Sequence, residues 1–292
     1  GRVALVLIAR ARGGFAIGVT EFAAMSILPD FAAGLGVDAP TAGHVISAYA
    51  AGVVVGAPIL AVLGARSPRW LLLIGFMALF AVGNGLSAMA PTYEWMLVFR
   101  FLSGVPHGAY FGVAALVAAS IVPLHLRTRA VSTILMGLTV ATVIGVPFAN
   151  LVSHAFGWRW TFAIVSVLAV ITMGLVALFA PRDPAHADAS PLRELGALKR
   201  SQVWLTLGVG AIGFGGMFCV YAYLASTLQA VTGVGPEILP WVFAVFGVGM
   251  FLGNILGAWA ADRIGFPAAG GLLLWSAAAL ALYPLAAPHL WA

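Results

Sequence analysis

The chain has 292 residues, of which 62% are apolar and only 8% charged, far below the roughly 25% charged residues of soluble domains. That composition excludes an ordinary soluble globule, and the net charge of +5 does not point to nucleic acid, because the basic residues sit singly or in small groups between apolar blocks. The one cysteine, Cys219, excludes an internal disulfide and any multi-cysteine metal site.

Apolar blocks of about 20 residues recur along the whole chain, each long enough to cross about 30 Å of hydrocarbon as a helix. The first runs from about Leu5 or Gly13 to Phe31. Its start is blurred by Arg10 and Arg12, which either snorkel to the headgroups or precede the helix. With Arg2 they would also suit the basic region of a signal peptide, but a row of further spans follows. The next blocks are Thr41 to Gly64, Trp70 to Ala90, about Glu94 to the residue before Pro123, Ala130 to His154, and Arg159 to Ala180. A polar stretch, Pro181 to Ser201, then reads as a linker. Three more spans follow, Gln202 to Leu228, Glu237 to Ala261, and Phe266 to about Pro288, making nine. The expected fold is therefore all-α and membrane-spanning, with residues 1–180 as a six-helix bundle, 181–201 as a linker and 202–292 as a partial second bundle.

Counting Lys and Arg on alternate sides orients these spans. With the N-terminus cytoplasmic, that side receives Arg2, Arg10, Arg12, Arg66, Arg69, Arg127, Arg129, Arg182, Arg193, Lys199, Arg200 and Arg263. The other side receives only Arg159, and Arg100 lies within the fourth span.

A shift of 197 positions superposes Gly52 on Gly249, Gly56 on Gly253, Arg66 on Arg263, Gly13 on Gly210 and Gly18 on Gly215. A repeat of six helices preserves orientation, which is the parallel two-half arrangement of major facilitator transporters. Two such units would make about 394 residues, so the expectation is a chain lacking its last three helices.

Glu21 is the only carboxylate inside a predicted span rather than at its end, in the otherwise uncharged stretch Gly13 to Pro29 bounded by Arg12 and Asp30. An ionisable group at that depth is costly, and it serves either as a proton or ion site facing a wet cavity or as a protonated group tying two helices together. Arg100 either snorkels to the interface or faces the cavity and tunes a nearby carboxylate, and it follows Glu94 by about 9 Å of helix. His107, two turns deeper on nearly the same face, contributes to a proton path, contacts substrate, or is a plain hydrogen-bonded histidine. Gly104, Gly108 and Gly112 form one smooth helix face, as do Gly249, Gly253 and Gly257, and close packing is the direct reading of both. Gly145, Val146 and Pro147 interrupt the fifth span, where proline frees a carbonyl and bends the helix. Asn150, Asn254, Tyr221 and Tyr223 are the remaining candidates to line a pathway.

Enzyme signatures are nearly absent. No Gly-rich phosphate loop precedes the only lysine, Lys199, which excludes ATP-driven transport within this chain. The six histidines have no zinc spacing. Gly85, Leu86, Ser87 and Ala88 faintly echo an intramembrane serine protease.

At these residues the chain resembles the drug and sugar efflux branch of the major facilitator superfamily, the arabinose-efflux-permease-like proton antiporters of bacteria. The most specific pieces are Gly14 to Pro29 with Thr20, Glu21 and Phe22, then RFLSGVPHGAYFGVAALVAA from Arg100 to Ala119, and Gly145 to Phe162 ending in GWRWTF. The resemblance implies that Arg100 belongs to a motif linked with proton coupling. It also implies that Gly137, Gly145 and Pro147 are a partial copy of the antiporter signature. Gly257, Asp262 and Arg263 keep the second copy of the gating-loop motif, whereas in the first copy Gly64, Ala65 and Arg66 retain the base but lack the acid.

The function expected is a monomeric secondary exporter in the bacterial inner membrane, exchanging protons for a small organic solute by alternating access, with no cofactor, no metal and no nucleic acid. Glu21 would carry the proton, Arg100 would tune it, and Gly145 with Pro147 would flex. An uncoupled facilitator of the same fold and the intramembrane protease are the alternatives.

Overall fold

The computed structural model describes residues 2–123, 127–180, 182, 196–265 and 267–289. Every regular element among them is helical. In chain order they are α1 (Arg2–Ser26), α2 (Leu28–Leu35), α3 (Ala39–Gly64), α4 (Arg69–Ala88), α5 (Tyr93–Ser120), α6 (Arg127–Val140), a π-helical turn (Ala141–Gly145), α7 (Val146–Phe156) and α8 (Trp158–Phe179). After the linker come α9 (Ser201–Tyr221), the short α10 (Leu224–Thr227), a second π-helical turn (Leu228–Thr232), α11 (Leu239–Ile264) and α12 (Pro267–Ala286). Eight of these stretches are long and apolar enough to cross a membrane singly, and α1 with α2 makes a ninth as a bent pair. An all-helical build is what hydrocarbon demands, since a helix bonds its own backbone polar groups internally.

The first span is not the single helix expected to Phe31. It turns by 67° between α1 and α2. Pro29 is the cause: it has no N–H to give to Met25, and its ring crowds the Met25 carbonyl. Ile27 takes the non-helical corner, and α2 starts with proline in its first turn and ends on the left-handed Gly36 (φ 69°). Asp38 then caps α3 by accepting the Thr41 amide at 2.9 Å, and the Thr41 hydroxyl, followed by that amide, holds its carboxyl below the usual carboxylate range.

The fifth span departs from the expected kink in another way. Six residues before Pro147 the ladder widens into the π turn Ala141–Gly145, and it resumes as α-helix at Val146. Proline cannot bond the carbonyl four residues back, and a wide turn absorbs the mismatch without ending the helix. The seventh span likewise breaks, at Ala222 and Tyr223, before finishing in α10 and the second π turn.

Among the described residues, the most extensive helix-to-helix contact is α3 against α5. Cβ atoms added at Gly52 or Gly56 would run into the Phe101 or Val105 carbonyl, and one at Gly104 into the Tyr49 carbonyl. Gly108 sits on Ala57, with 2.9 Å left for a Cβ. These glycines let two backbones touch, which is how helices associate when lipid removes the hydrophobic drive. Gly112 departs from the packing reading: nothing lies within 4 Å of its Cβ position, and it lines a cleft of about 450 Å³ with Ala61, Gly64, Ser67 and Arg69. Gly249 and Gly253 also have no neighbour within 4 Å among the described residues, and Gly257 meets only Leu272 at 3.7 Å. Shared glycine positions in the repeat therefore do different things in its two copies.

The helices after the linker meet the earlier ones along α11, which packs on α6, the first π turn and α7, and through α10, which touches α1 and α2. An aromatic cluster seals this junction: Tyr221 stands edge-on to Phe22 at 5.3 Å and against Phe246 at 4.7 Å, and Phe218 stacks on Phe22 at 5.8 Å.

Gly104→Val should push α3 and α5 apart and cost about 1 to 3 kcal/mol. Gly75→Ala, at an open exposed site, should be neutral or slightly stabilising. Thermal unfolding in detergent compares the two, and equal losses would contradict the packing account.

Candidate functional site

Close approach of α3 and α5 has a direct consequence for the charged residues. It lays the Tyr49 ring of α3 over the Arg100 guanidinium of α5, whose Cζ is 4.4 Å from the ring centroid. Phe162 from α8 lies 5.2 Å away. From α4, Asn84 Oδ1 accepts from Arg100 at 3.4 Å and from the Thr20 hydroxyl of α1 at 3.2 Å. Its own amide donates to the Phe80 carbonyl at 2.9 Å. Arg100 is 1% exposed, so it does not snorkel to the interface. Its contacts are with Asn84 and two rings, and the Glu94 spacing seen in sequence joins nothing there. Cation–π contacts of this kind gain strength when desolvated.

Tyr49 also reaches the second candidate pair. Its hydroxyl lies 2.8 Å from His107 Nδ1, and His107 Nε2 is 4.0 Å from Glu21 Oε2. The Glu21 and His107 side chains keep 21% and 14% of their surface accessible. That residual access distinguishes them from Arg100: water can touch the Glu21 and His107 side chains, whereas the Arg100 guanidinium meets only its protein neighbours. Four residues from three helices thus form one continuous line, Arg100, Tyr49, His107 and Glu21.

The other candidates fall elsewhere. Asn150 donates to Ser26 at 2.7 Å and to the Val146 carbonyl at 3.1 Å, and Ser153 donates to Asp30, so this row pins the bent end of the first span to α7. Asn150 is buried and belongs to that latch. Tyr221 is fully buried in the aromatic cluster beside Phe22, one residue from Glu21. Tyr223 is half exposed, its hydroxyl set against Gly43. Asn254 donates to Thr139 at 3.2 Å, a link between α11 and α6.

On the fifth span, Gly145 faces Val19 and Phe15 of α1, with no room for a Cβ beside Val19. Gly137 is buried on α6, and Pro147 sits in the first turn of α7. Gly247 of α11 packs on the Thr142 carbonyl of the π turn, so this turn is clasped from both sides. Arg66 is exposed in the turn after α3. Arg263 is exposed in the last turn of α11, its guanidinium 5.6 Å from the Trp259 ring, while the Asp262 side chain lies outside the described residues.

Sequence reasoning passed over Tyr49 and Asn84, and it named Thr20 only as part of the family resemblance. An uncharged polar residue in a membrane helix looks ordinary, and only the Gly52 and Gly56 spacing on the same helix hinted that Tyr49 lies against α5. The protease echo has no machinery: Ser87 is buried and gives its hydroxyl to the Gly83 carbonyl at 2.8 Å. Among the described residues no group of three or more His, Cys, Asp or Glu is placed to hold a metal ion.

Comparison with known proteins agrees with the fold. The sequence profile of the Major Facilitator Superfamily matches residues 12–292. Inner membrane transport protein YdhP of Escherichia coli is 42% identical over 257 residues, covering 88% of this chain and 66% of that protein. A chloramphenicol resistance protein of Streptomyces lividans is 34% identical over 252 residues, covering 85% of this chain and 64% of its own length. The chain thus spans just under two thirds of the length of these relatives. A bacterial homologue of the human lysosomal transporter Spinster, solved inward-facing and unoccupied, superposes with a TM-score of 0.69 at 19% identity, over 90% of this chain and 64% of that one. At that identity the likeness speaks for the fold alone.

Asn84→Ala removes the acceptor shared by Arg100 and Thr20 and should lower stability by about 1 to 3 kcal/mol. Asn84→Asp keeps an acceptor for the cation and should be the milder change. Thermal unfolding of both variants checks the order, and an alanine variant as stable as wild type would contradict the role given to Asn84.

Proposed function

The chain belongs to the major facilitator superfamily, and from that membership we propose that it serves a secondary exporter that exchanges protons for a small organic solute by alternating access. The observation that carries this reading is the line from Arg100 through Tyr49 and His107 to Glu21, which ends on a carboxylate that remains accessible. A carboxylate within a membrane helix is expensive to maintain and is a functional group by default. Glu21 takes up a proton when its cavity opens to one side and releases it on the other, and solute moves in the opposite sense. Arg100 is the fixed charge that favours the ionised carboxylate on the release side.

Residues 1–180 and 202–292 act as the two moving units, joined by the 181–201 linker, with the N-terminus cytoplasmic in a bacterial inner membrane and the working unit a monomer. Support for movement at the junction comes from the first π turn. It is held between α1 at Gly145 and α11 at Gly247, and a wide turn next to proline can change register more readily than a regular ladder. Support for export of solutes of drug or sugar size comes from relatives, one of which is named for chloramphenicol resistance and another as a probable sugar efflux transporter.

Two results are expected from the full-length protein in vesicles, with labelled chloramphenicol and a labelled pentose as probes. Wild-type protein should accumulate at least one probe against its gradient when a pH gradient is imposed. Glu21→Gln should lose that accumulation by about tenfold or more, since a neutral amide cannot carry the proton, while keeping probe exchange at equal pH. Accumulation unchanged in Glu21→Gln would rule out the proton role of this residue.

A second check concerns the π turn. Gly145→Leu would collide with Val19 and Phe15, so it should slow exchange several-fold with little change in probe affinity. Measured rates equal to wild type would remove the turn from the moving parts.

A further inference from the structure

We propose that Tyr49 is a positioning residue that holds His107 in the tautomer protonated at Nε2, with that N–H turned toward Glu21. The proposal rests on the reading of Glu21 as the proton site, and it adds the group that decides what Glu21 meets across the cavity.

The argument begins with a buried hydroxyl. Tyr49 is 3% exposed, and His107 Nδ1 at 2.8 Å is the one hydrogen-bond partner of its hydroxyl among the described residues. Both the phenol and the imidazole could donate in that bond. If His107 donated from Nδ1, the Tyr49 proton would be left buried without an acceptor, which carries the full desolvation cost of an unmade bond. If Tyr49 donates, its proton and Nδ1 both have partners. Nδ1 is then the acceptor and the imidazole proton resides on Nε2, the nitrogen that lies 4.0 Å from Glu21 Oε2. The hydrogen bond on one ring nitrogen thereby sets what the other presents.

The surroundings hold this arrangement. The imidazole is flanked by the rings of Tyr49 at 5.7 Å and Phe111 at 5.4 Å, which fix its plane. The Tyr49 ring is itself held beneath Arg100. The ionisable groups around His107 are Glu21 from α1, Tyr49 from α3, and Arg100 and Tyr110 on α5, with Tyr221 of α9 beyond Phe22. Burial is the main obstacle to a charge on His107, and Arg100, already a buried cation two turns along the same helix, adds like-charge repulsion against the attraction of Glu21. A neutral imidazole with its N–H toward the carboxylate avoids that repulsion and still offers Glu21 a donor dipole. At 4.0 Å this is a dipole contact, and a small side-chain movement during the transport cycle closes it to a hydrogen bond.

Nitrogen NMR reads the tautomer without any transported solute. The full-length protein is labelled with 15N-histidine in lipid nanodiscs, and the His107 signals are identified by their loss in His107→Gln. In the wild type Nε2 is expected to be protonated and Nδ1 to be an unprotonated, hydrogen-bonded acceptor. Tyr49→Phe keeps the ring beneath Arg100 and removes only the hydroxyl. It should move the Nδ1 signal to that of a non-bonded acceptor and reduce the tautomer ratio by about fivefold, the worth of one net hydrogen bond. A wild-type imidazole protonated at Nδ1 overturns the proposal, as do nitrogen signals that are the same in Tyr49→Phe and wild type. If Tyr49→Phe fails to fold, the wild-type spectrum alone still decides. Failure here is distinct from failure of the proton site: Glu21→Gln without loss of coupling sinks the latter, whereas an imidazole unmoved in Tyr49→Phe sinks only the positioning role.

Discussion

A guanidinium sealed inside a membrane protein cannot be hydrated, so the helices around Arg100 have to supply what water would. Each element of the first six spans near it can be understood through that demand. Gly52, Gly56 and Gly104 bring α3 and α5 close enough for Tyr49 to cover the cation, α4 contributes the Asn84 acceptor, and α8 contributes the Phe162 ring. Thr20, the residue before Glu21, ties α1 to the same acceptor. A buried charge is poor evidence of stability in its own right, since desolvation offsets much of what its contacts return. Under the proposed function its place is that of a fixed electrostatic reference for Glu21.

The asymmetry of the repeat follows the same line. The 197-residue shift pairs Glu21 with Phe218, and Phe218 stacks on Phe22, the immediate neighbour of Glu21. One copy of the site carries the charge and the other supplies part of the aromatic seal beside it. Tyr221 and Phe246 extend that seal from α9 and α11, so the contact between the last spans and the first six lies next to the ionisable line. Glu21 is therefore adjacent to the contact between the last spans and the first six.

Much of this was legible in the sequence because hydrocarbon leaves few choices. Nine spans, their boundaries within a few residues, and the special standing of Glu21, Arg100 and His107 all follow from the rule that backbone bonds must close internally and that charges at depth are rare. What escaped were features set by tertiary neighbours. The corner at Ile27 depends on one proline and looked like part of a continuous apolar run, and the π turn before Pro147 is a local answer to a missing N–H whose form composition does not dictate. Glycine spacing told that a helix face was smooth without telling what lay against it: Gly104 touches backbone, while Gly112 borders a cleft and Gly249 is open. Tyr49 was missed because an uncharged ring in an apolar helix carries no signal until its partners are in place. Asn150 was assigned to a pathway, whereas its amide belongs to the latch with Ser26.

Infrared difference spectroscopy of the full-length protein in lipid, recorded as pH is lowered, tests most directly whether Glu21 is the group that takes up the proton. A carboxylic-acid carbonyl band that grows in the wild type and is missing in Glu21→Gln is the result predicted. The same band appearing undiminished in Glu21→Gln would contradict the account.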